Sequence, residues 1–192
     1  MGELNQHDLK DYIERYNLTT FVETGTGKAV GLSYALQFDF QKLFSIEINE
    51  QLYTENVNKI KDPRCQLLWN NSLDGLAIIL QQLEMPTLFW LDAHFPGADF
   101  GLGSYDADIP RTLKLPLEYE LELIVKNRNC AKDVFIIDDL RLLEKGEYEL
   151  GDLSEREKYG YCGVEFIIKL FGDTHQLKRD LRHQGFLILV PK

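Results

Sequence analysis

The chain has 192 residues, of which 44% are hydrophobic and 27% charged, a composition that is too apolar for a disordered protein. Its 31 acidic residues outnumber its 21 lysines and arginines, and the net charge of −10 argues against binding to nucleic-acid phosphates or to an anionic membrane surface. Because residues 29–38 form the longest uncharged stretch, no transmembrane segment is expected, and three cysteines without a Cys-x-x-Cys spacing favour a cytoplasmic location.

The first half of the chain alternates helical patterns with short apolar runs. An apolar stripe at Leu9, Tyr12, Ile13 and Tyr16 predicts an N-terminal helix within residues 1–17. Strands are predicted at residues 19–22, 42–46, 65–69 and 87–91, and helical patterns lie between them. This alternation predicts a parallel sheet that is covered by helices on both faces.

The second half adds a fifth unit and then changes character. Residues 95–114 have glycines and prolines but no helical period, and we interpret them as a lid loop that closes over substrate. A helix at 117–125 and a strand at 134–137 follow, and residues 141–161 are expected to form a loop or a ragged short helix. After a helix at 164–171, two strands joined by a turn near 183–185 must pair antiparallel. We expect one domain over 1–192.

The most informative motif is a glycine turn that follows the first strand. Glu23 precedes Gly25 and Gly27, and such glycines let the backbone approach a ligand closely. The segment matches neither a P-loop nor the dinucleotide fingerprint, whose third glycine would be Val30. An acid two residues before the first glycine would repel a pyrophosphate but suits a ligand with a cationic end, such as S-adenosylmethionine. An ordinary tight turn is the alternative.

A second acid ends the second predicted strand. Glu47 lies 22 residues beyond Gly25, close to the spacing at which a carboxylate accepts the two hydroxyls of a nucleoside ribose. The spacing favours a nucleoside without selecting one cofactor. The alternative is a solvated acid that stabilises the N-terminus of the next helix.

These motifs resemble those of the class I S-adenosylmethionine-dependent methyltransferases. The resemblance runs through residues 22–27, 45–47, 70–72, 91–94 and 137–139. It implies a Rossmann-like three-layer α/β/α sandwich, with a mostly parallel seven-stranded sheet that ends in an antiparallel strand pair. It also implies that S-adenosylmethionine is the cofactor. The family pattern places the cofactor contacts at Glu23, Gly25, Gly27, Glu47, Asn71 and Ser72, with Asn71 standing where the family usually has an acid.

Three aspartates follow the fourth and fifth predicted strands. Asp92, Asp138 and Asp139 would lie close together, and their repulsion would be relieved by raised pKa values or by a cation. The pattern is similar to that of the metal-dependent O-methyltransferases, which implies a divalent cation such as Mg²⁺ held by these three residues. The alternative is that one aspartate caps the following helix and another pairs with Arg141 or Lys145.

His94 is the best candidate for a general base, because a histidine can accept a hydroxyl proton at neutral pH. It could also bind a metal or a loop backbone. With Asp92 as the second catalytic residue, we expect transfer of a methyl group to a hydroxyl of a small molecule or sugar. An NAD-dependent oxidoreductase and a non-catalytic methyltransferase-like binding domain are the alternatives. Nothing in the sequence indicates an oligomeric state.

Overall fold

A computed structural model describes residues 4–93, 110–153 and 163–192 of the chain. Seven strands form one sheet in the order β3-β2-β1-β4-β5-β7-β6. The first five in that order are parallel, and β7 is antiparallel to both β5 and β6. The predicted architecture is confirmed. The strands are β1 (Thr20–Thr24), β2 (Lys42–Glu47), β3 (Cys65–Trp69), β4 (Thr87–Leu91), β5 (Val134–Ile137), β6 (His175–Asp180) and β7 (Phe186–Pro191).

Helices cover both faces of this sheet, as parallel strands require. The cores on the two faces are separate: α1 and α2 pack on one face, and α4, α6 and α7 pack on the other. The helices are α1 (Leu9–Tyr16), α2 (Val30–Ala35), α3 (Glu50–Lys59), α4 (Ser72–Leu80), α5 (Arg111–Lys114), α6 (Leu117–Asn127) and α7 (Val164–Phe171), with short 3-10 helices at Leu4–Gln6 and Leu140–Leu142. No helix within the described ranges is long and apolar enough to cross a bilayer.

The sheet brings the candidate residues to its centre. All five residues of β1 are buried, and β1 pairs with β2 on one side and with β4 on the other. The chain adds β2 and β3 on one side of β1 and β4 and β5 on the other, and this reversal creates a crevice beyond the carboxyl ends of β1 and β4, which is where open α/β sheets bind ligands.

Some boundaries differ from the predicted ones for local reasons. Helix α4 begins at Ser72, ahead of the apolar stripe that predicted it, because Asn71 provides its N-cap. Strand β6 begins at His175, which is buried, although only the alternation from Leu177 onward indicated a strand. The expected absence of helix in the lid is wrong at its end, where α5 forms one turn directly after Pro110. Residues 95–109 lie outside the described ranges.

Candidate functional site

The ends of β1, β4 and β5 are held at one level by backbone hydrogen bonds. The Asp92 N–H donates to the Thr24 carbonyl over 3.1 Å, and the Asp138 N–H donates to the Leu91 carbonyl over 3.1 Å. The residues that follow these strands therefore share one sheet edge. This is the candidate functional site.

The glycine loop, residues 25–29, contacts the turn after β4. Gly25 has a φ of 83°, and a Cβ added to it would lie 2.5 Å from the Asp92 carbonyl oxygen. Gly27 also has a left-handed φ, of 53°. The Gly25 and Thr26 N–H groups both donate to the Ile46 carbonyl, over 3.0 and 3.1 Å, which ties the loop to β2. Only a residue without a side chain permits the close approach at Gly25.

Glu47 is buried at the end of β2, so the alternative of a solvated acid is wrong, and its contact with a ribose stays a prediction. Its Oε2 accepts the Gly27 N–H over 2.7 Å, and its Oε1 accepts the Asn49 N–H over 2.7 Å. Burial raises the pKa of Glu47, and these backbone donors act in the opposite direction. Because a carboxylate offers about four acceptor positions, Glu47 keeps capacity for ribose hydroxyls.

Glu23, in contrast, is enclosed between β2 and α2 and is only 1% exposed. Its Oε2 accepts the Ser45 hydroxyl proton, and a Cβ added to Gly31 would collide with its Oε1. Burial raises the pKa of Glu23 to about 8; the Ser45 hydrogen bond opposes this shift, and the nearby Asp92 and Glu47 carboxylates add to it. The structure therefore places Glu23 beneath the loop, in contact with protein groups.

Asn71 and Ser72 lie where the chain enters α4. The Asn71 Oδ1 accepts the Asp74 N–H over 2.9 Å, and its Nδ2 donates to Asp74 Oδ2 over 2.7 Å. Ser72 is the first residue of α4 and is buried. Asn71 thus stabilises a helix start, and an adenine contact by its amide remains a prediction.

The three aspartates follow strands β4 and β5. Asp139 has a left-handed φ of 56° and accepts Arg141 Nε over 3.0 Å, which is the ion pair anticipated as the alternative to metal binding. Asp138 is buried, and Asp92 is partly exposed. Across residues 4–93, 110–153 and 163–192, no group of three His, Cys, Asp or Glu side chains could hold a metal ion. The described residues therefore provide no three-ligand site for a divalent cation, and a cation held by Asp92, Asp138 and Asp139 stays a prediction. His94 lies outside the described ranges.

A pocket opens beside the ends of β4 and β5, next to α6. Its walls are mostly apolar, and Glu120, Asp138 and Asp139 supply its acidic groups. Ala93 lines the same pocket, and its Cα lies 3.0 Å from the position of a Cβ on Gly25. The glycine loop and the pocket therefore meet at Ala93.

Four residues of the site were not predicted from the sequence. Thr26 and Ser45 belong to segments that carried the resemblance, but their side chains gave no signal of their own. Asn56 is buried on α3, and its Nδ2 donates a hydrogen bond to the Gly27 carbonyl over 2.8 Å. Because it stands among other polar residues of that helix, its sequence context gave no signal. Glu120 is buried in the first turn of α6, where an acid is common for electrostatic reasons alone.

No protein-family model and no curated protein matches this chain. Solved structures do match. A Staphylococcus aureus protein described as a caffeoyl-CoA O-methyltransferase has a TM-score of 0.66 at 14% identity, and the match covers 100% of this chain and 85% of the other. A Klebsiella pneumoniae protein described as an O-methyltransferase has a TM-score of 0.59 at 15% identity, and the match covers 100% of this chain and 82% of the other. An O-methyltransferase from Bacillus cereus in complex with S-adenosylhomocysteine has a TM-score of 0.56 at 12% identity, over 97% and 82%.

At these identities the likeness shows the fold. The chain has the fold of the class I S-adenosylmethionine-dependent methyltransferases, the family that its motifs resemble. The residues present also fit that cofactor, because Gly25 and Gly27 leave the loop backbone uncovered at two positions and Glu47 presents a carboxylate beside it.

Proposed function

We propose that the protein transfers a methyl group from S-adenosylmethionine to a hydroxyl of a small molecule or sugar. The observation that carries the proposal is the 2.7 Å hydrogen bond between Glu47 and the Gly27 N–H, which brings a buried acid and a glycine loop together in a methyltransferase fold. A nucleoside with a cationic amino-acid tail matches this pairing.

In this proposal the glycine loop and the residues around it bind the cofactor, and the pocket binds the methyl acceptor. Gly25 and Gly27 would hold the methionine part of the cofactor, Glu47 the ribose, and Asn71 and Ser72 the adenine side. When bound, S-adenosylmethionine supplies an electrophilic methyl group on its sulfonium. Because loop and pocket meet at Ala93, an acceptor in the pocket would lie beside the cofactor. Methyl transfer needs close in-line approach, so positioning is the main contribution expected of the chain.

The acceptor hydroxyl must also lose its proton. We propose His94 as the base, with Asp92 as the second catalytic residue. The carboxyl groups of Asp138 and Glu120 provide hydrogen-bonding oxygens in the pocket wall. The net charge of −10 favours a small organic acceptor over a nucleic acid or a membrane. No step is assigned to a cation, because the described residues provide no three-ligand site for one.

Isothermal titration calorimetry with S-adenosylhomocysteine tests the cofactor. We expect saturable binding and no heat from NADH. Binding of NADH in its place would support the oxidoreductase alternative, and no heat at millimolar S-adenosylhomocysteine would contradict the proposal.

Transfer of a labelled methyl group tests the reaction, with a panel of phenols, sugars and hydroxy acids and with total RNA as the control acceptor. Label in a small hydroxyl compound is expected; label in RNA would overturn the proposed acceptor class. Cofactor binding without transfer to any acceptor would indicate a non-catalytic domain. Repeating a positive reaction with EDTA, and again with added Mg²⁺, shows whether a cation takes part.

A further inference from the structure

A buried chain of hydrogen bonds runs beneath the glycine loop. Ser45 Oγ donates to Glu23 Oε2, and Thr26 Oγ1 lies 2.6 Å from Ser45 Oγ. We call Thr26, Ser45 and Glu23 the loop clamp. Their exposed fractions are 4%, 0% and 1%, so water does not compete for these bonds.

The clamp has a defined direction while Glu23 is ionised. Ser45 then donates its one hydroxyl proton to Glu23, so Thr26 is the donor in the bond between the two hydroxyls. The loop's only hydroxyl is therefore held against β2, on the side where Ile46 also accepts the loop's N–H groups.

Glu23 extends the clamp into α2. This helix has Ala29 at its N-cap and receives no side-chain cap there, whereas the Leu32 N–H in its first turn donates to Glu23. Glu23 thus supplies from β1 the acceptor that a serine or aspartate cap would normally provide. The absent Cβ of Gly31 makes room for the carboxyl group.

We propose that Ser45 and Glu23 are positioning residues, which fix the glycine loop and α2 in the conformation that receives the cofactor without contacting it themselves. The expected effect on cofactor binding rests on the proposed function, whereas the expected effect on the conformation of the loop does not. This role differs from the direct contact that the sequence predicted for Glu23.

The test compares Ser45→Thr with Ser45→Val. The two side chains have the same shape, so both impose the same added methyl group on the buried site, and only threonine keeps the hydroxyl. We expect hydrogen exchange at the Gly25, Thr26 and Ala29 amides to be faster in Ser45→Val than in Ser45→Thr. We also expect S-adenosylhomocysteine to bind Ser45→Val about tenfold more weakly, the effect of one lost buried hydrogen bond.

A second pair and a control complete the design. Thr26→Ser and Thr26→Val repeat the comparison from the loop side, should the added methyl at Ser45 prevent folding. Thr87→Val removes a hydroxyl that donates to the Met85 carbonyl over 2.9 Å at the opposite edge of the sheet. It should lower stability but leave loop exchange and cofactor affinity unchanged.

Each outcome decides one of the two proposals. Equal loop exchange within both pairs would overturn the clamp, as would loosening of the loop to the same degree by Thr87→Val. Faster loop exchange only in the valine variants, in a protein that binds no S-adenosylhomocysteine, would support the clamp and contradict the proposed function.

Discussion

Ala29 stands at a backbone position that disfavours its side chain. Its φ of 58° is left-handed, which costs an L-residue roughly 1–2 kcal/mol. Glycine avoids this cost, but it loses more entropy on folding and removes a buried methyl group worth about 0.8 kcal/mol, so we expect the free energy of unfolding of Ala29→Gly to stay within about 1 kcal/mol of the wild type. Urea denaturation measures the difference. A loss of about 2 kcal/mol or more, as expected at an ordinary helical φ, would contradict the left-handed conformation.

Gly25 and Gly151 form a matched pair, because their φ angles are 83° and 84°. A Cβ on Gly25 would lie 2.5 Å from the Asp92 carbonyl oxygen, whereas a Cβ on Gly151 would have nothing within 4 Å. Both alanine variants carry the same backbone strain, of about 1–2 kcal/mol. Only Gly25→Ala should also weaken S-adenosylhomocysteine binding, by about tenfold or more, in calorimetry. Equal binding by the two variants would show that the close approach does not shape the site.

Individual residues also show which parts of the site could be predicted from the sequence. The spacing of Gly25, Gly27 and Glu47 indicated their shared location, because strand ends in a parallel sheet meet at one edge. The direction of the Glu23 side chain could not be predicted, since it depends on Ser45 and on Gly31 in other elements. The pairing of Asp139 with Arg141 was one of two alternatives, and the sequence could not decide between them because no pattern specified the left-handed φ of Asp139.

At the scale of elements, α4 depends on its cap. Asn71→Ala should lower the free energy of unfolding by about 1 kcal/mol, because the Asp74 N–H loses its acceptor. Asn71→Ser keeps a capping oxygen but has no amide, so its stability should stay near that of the wild type. Urea denaturation measures both variants. Weaker S-adenosylhomocysteine binding by the stable Asn71→Ser protein is expected from an adenine contact, and unchanged binding would exclude that contact.

Elements were predicted best where the apolar pattern is strong. Strands β4 and β5 and helix α7 have the predicted bounds, because uninterrupted apolar runs or a strong helical stripe identify them. Strand β3 also has the predicted bounds, although it lies at the edge of the sheet and none of its residues is fully buried. Helix α5 was missed because one turn is too short to show a period. The start of β6 was missed because its residues are buried on one face only, between β7 and the open edge of the sheet.

For the molecule as a whole, the buried acid under the loop should make stability depend on pH. The pKa of Glu23 is raised from 4.5 to about 8, so the folded state binds this proton more tightly than the unfolded state. The free energy of unfolding should therefore fall as pH rises through this window, by about 1.4 kcal/mol per pH unit. Below pH 6.5 the buried His7, whose pKa is lowered to about 4, acts in the opposite direction.

Between pH 6.5 and 8, Glu23→Gln isolates the contribution of Glu23, because its amide cannot ionise and Glu47, whose pKa is also raised, is present in both proteins. Chemical denaturation across that range should show a slope in the wild type and a flatter profile in the variant. Parallel profiles for the two proteins would contradict the raised pKa of Glu23.

The sheet order has a consequence for a chain that is still being synthesised. β7 lies between β5 and β6, and it alone supplies the antiparallel partner of β5. Until residues 186–191 have left the ribosome, the apolar Val134–Ile137 strand has an unpaired side, and β6 has no place in the sheet. Polypeptides cut short before Phe186 would expose that strand to one another, so they should aggregate where the full chain folds.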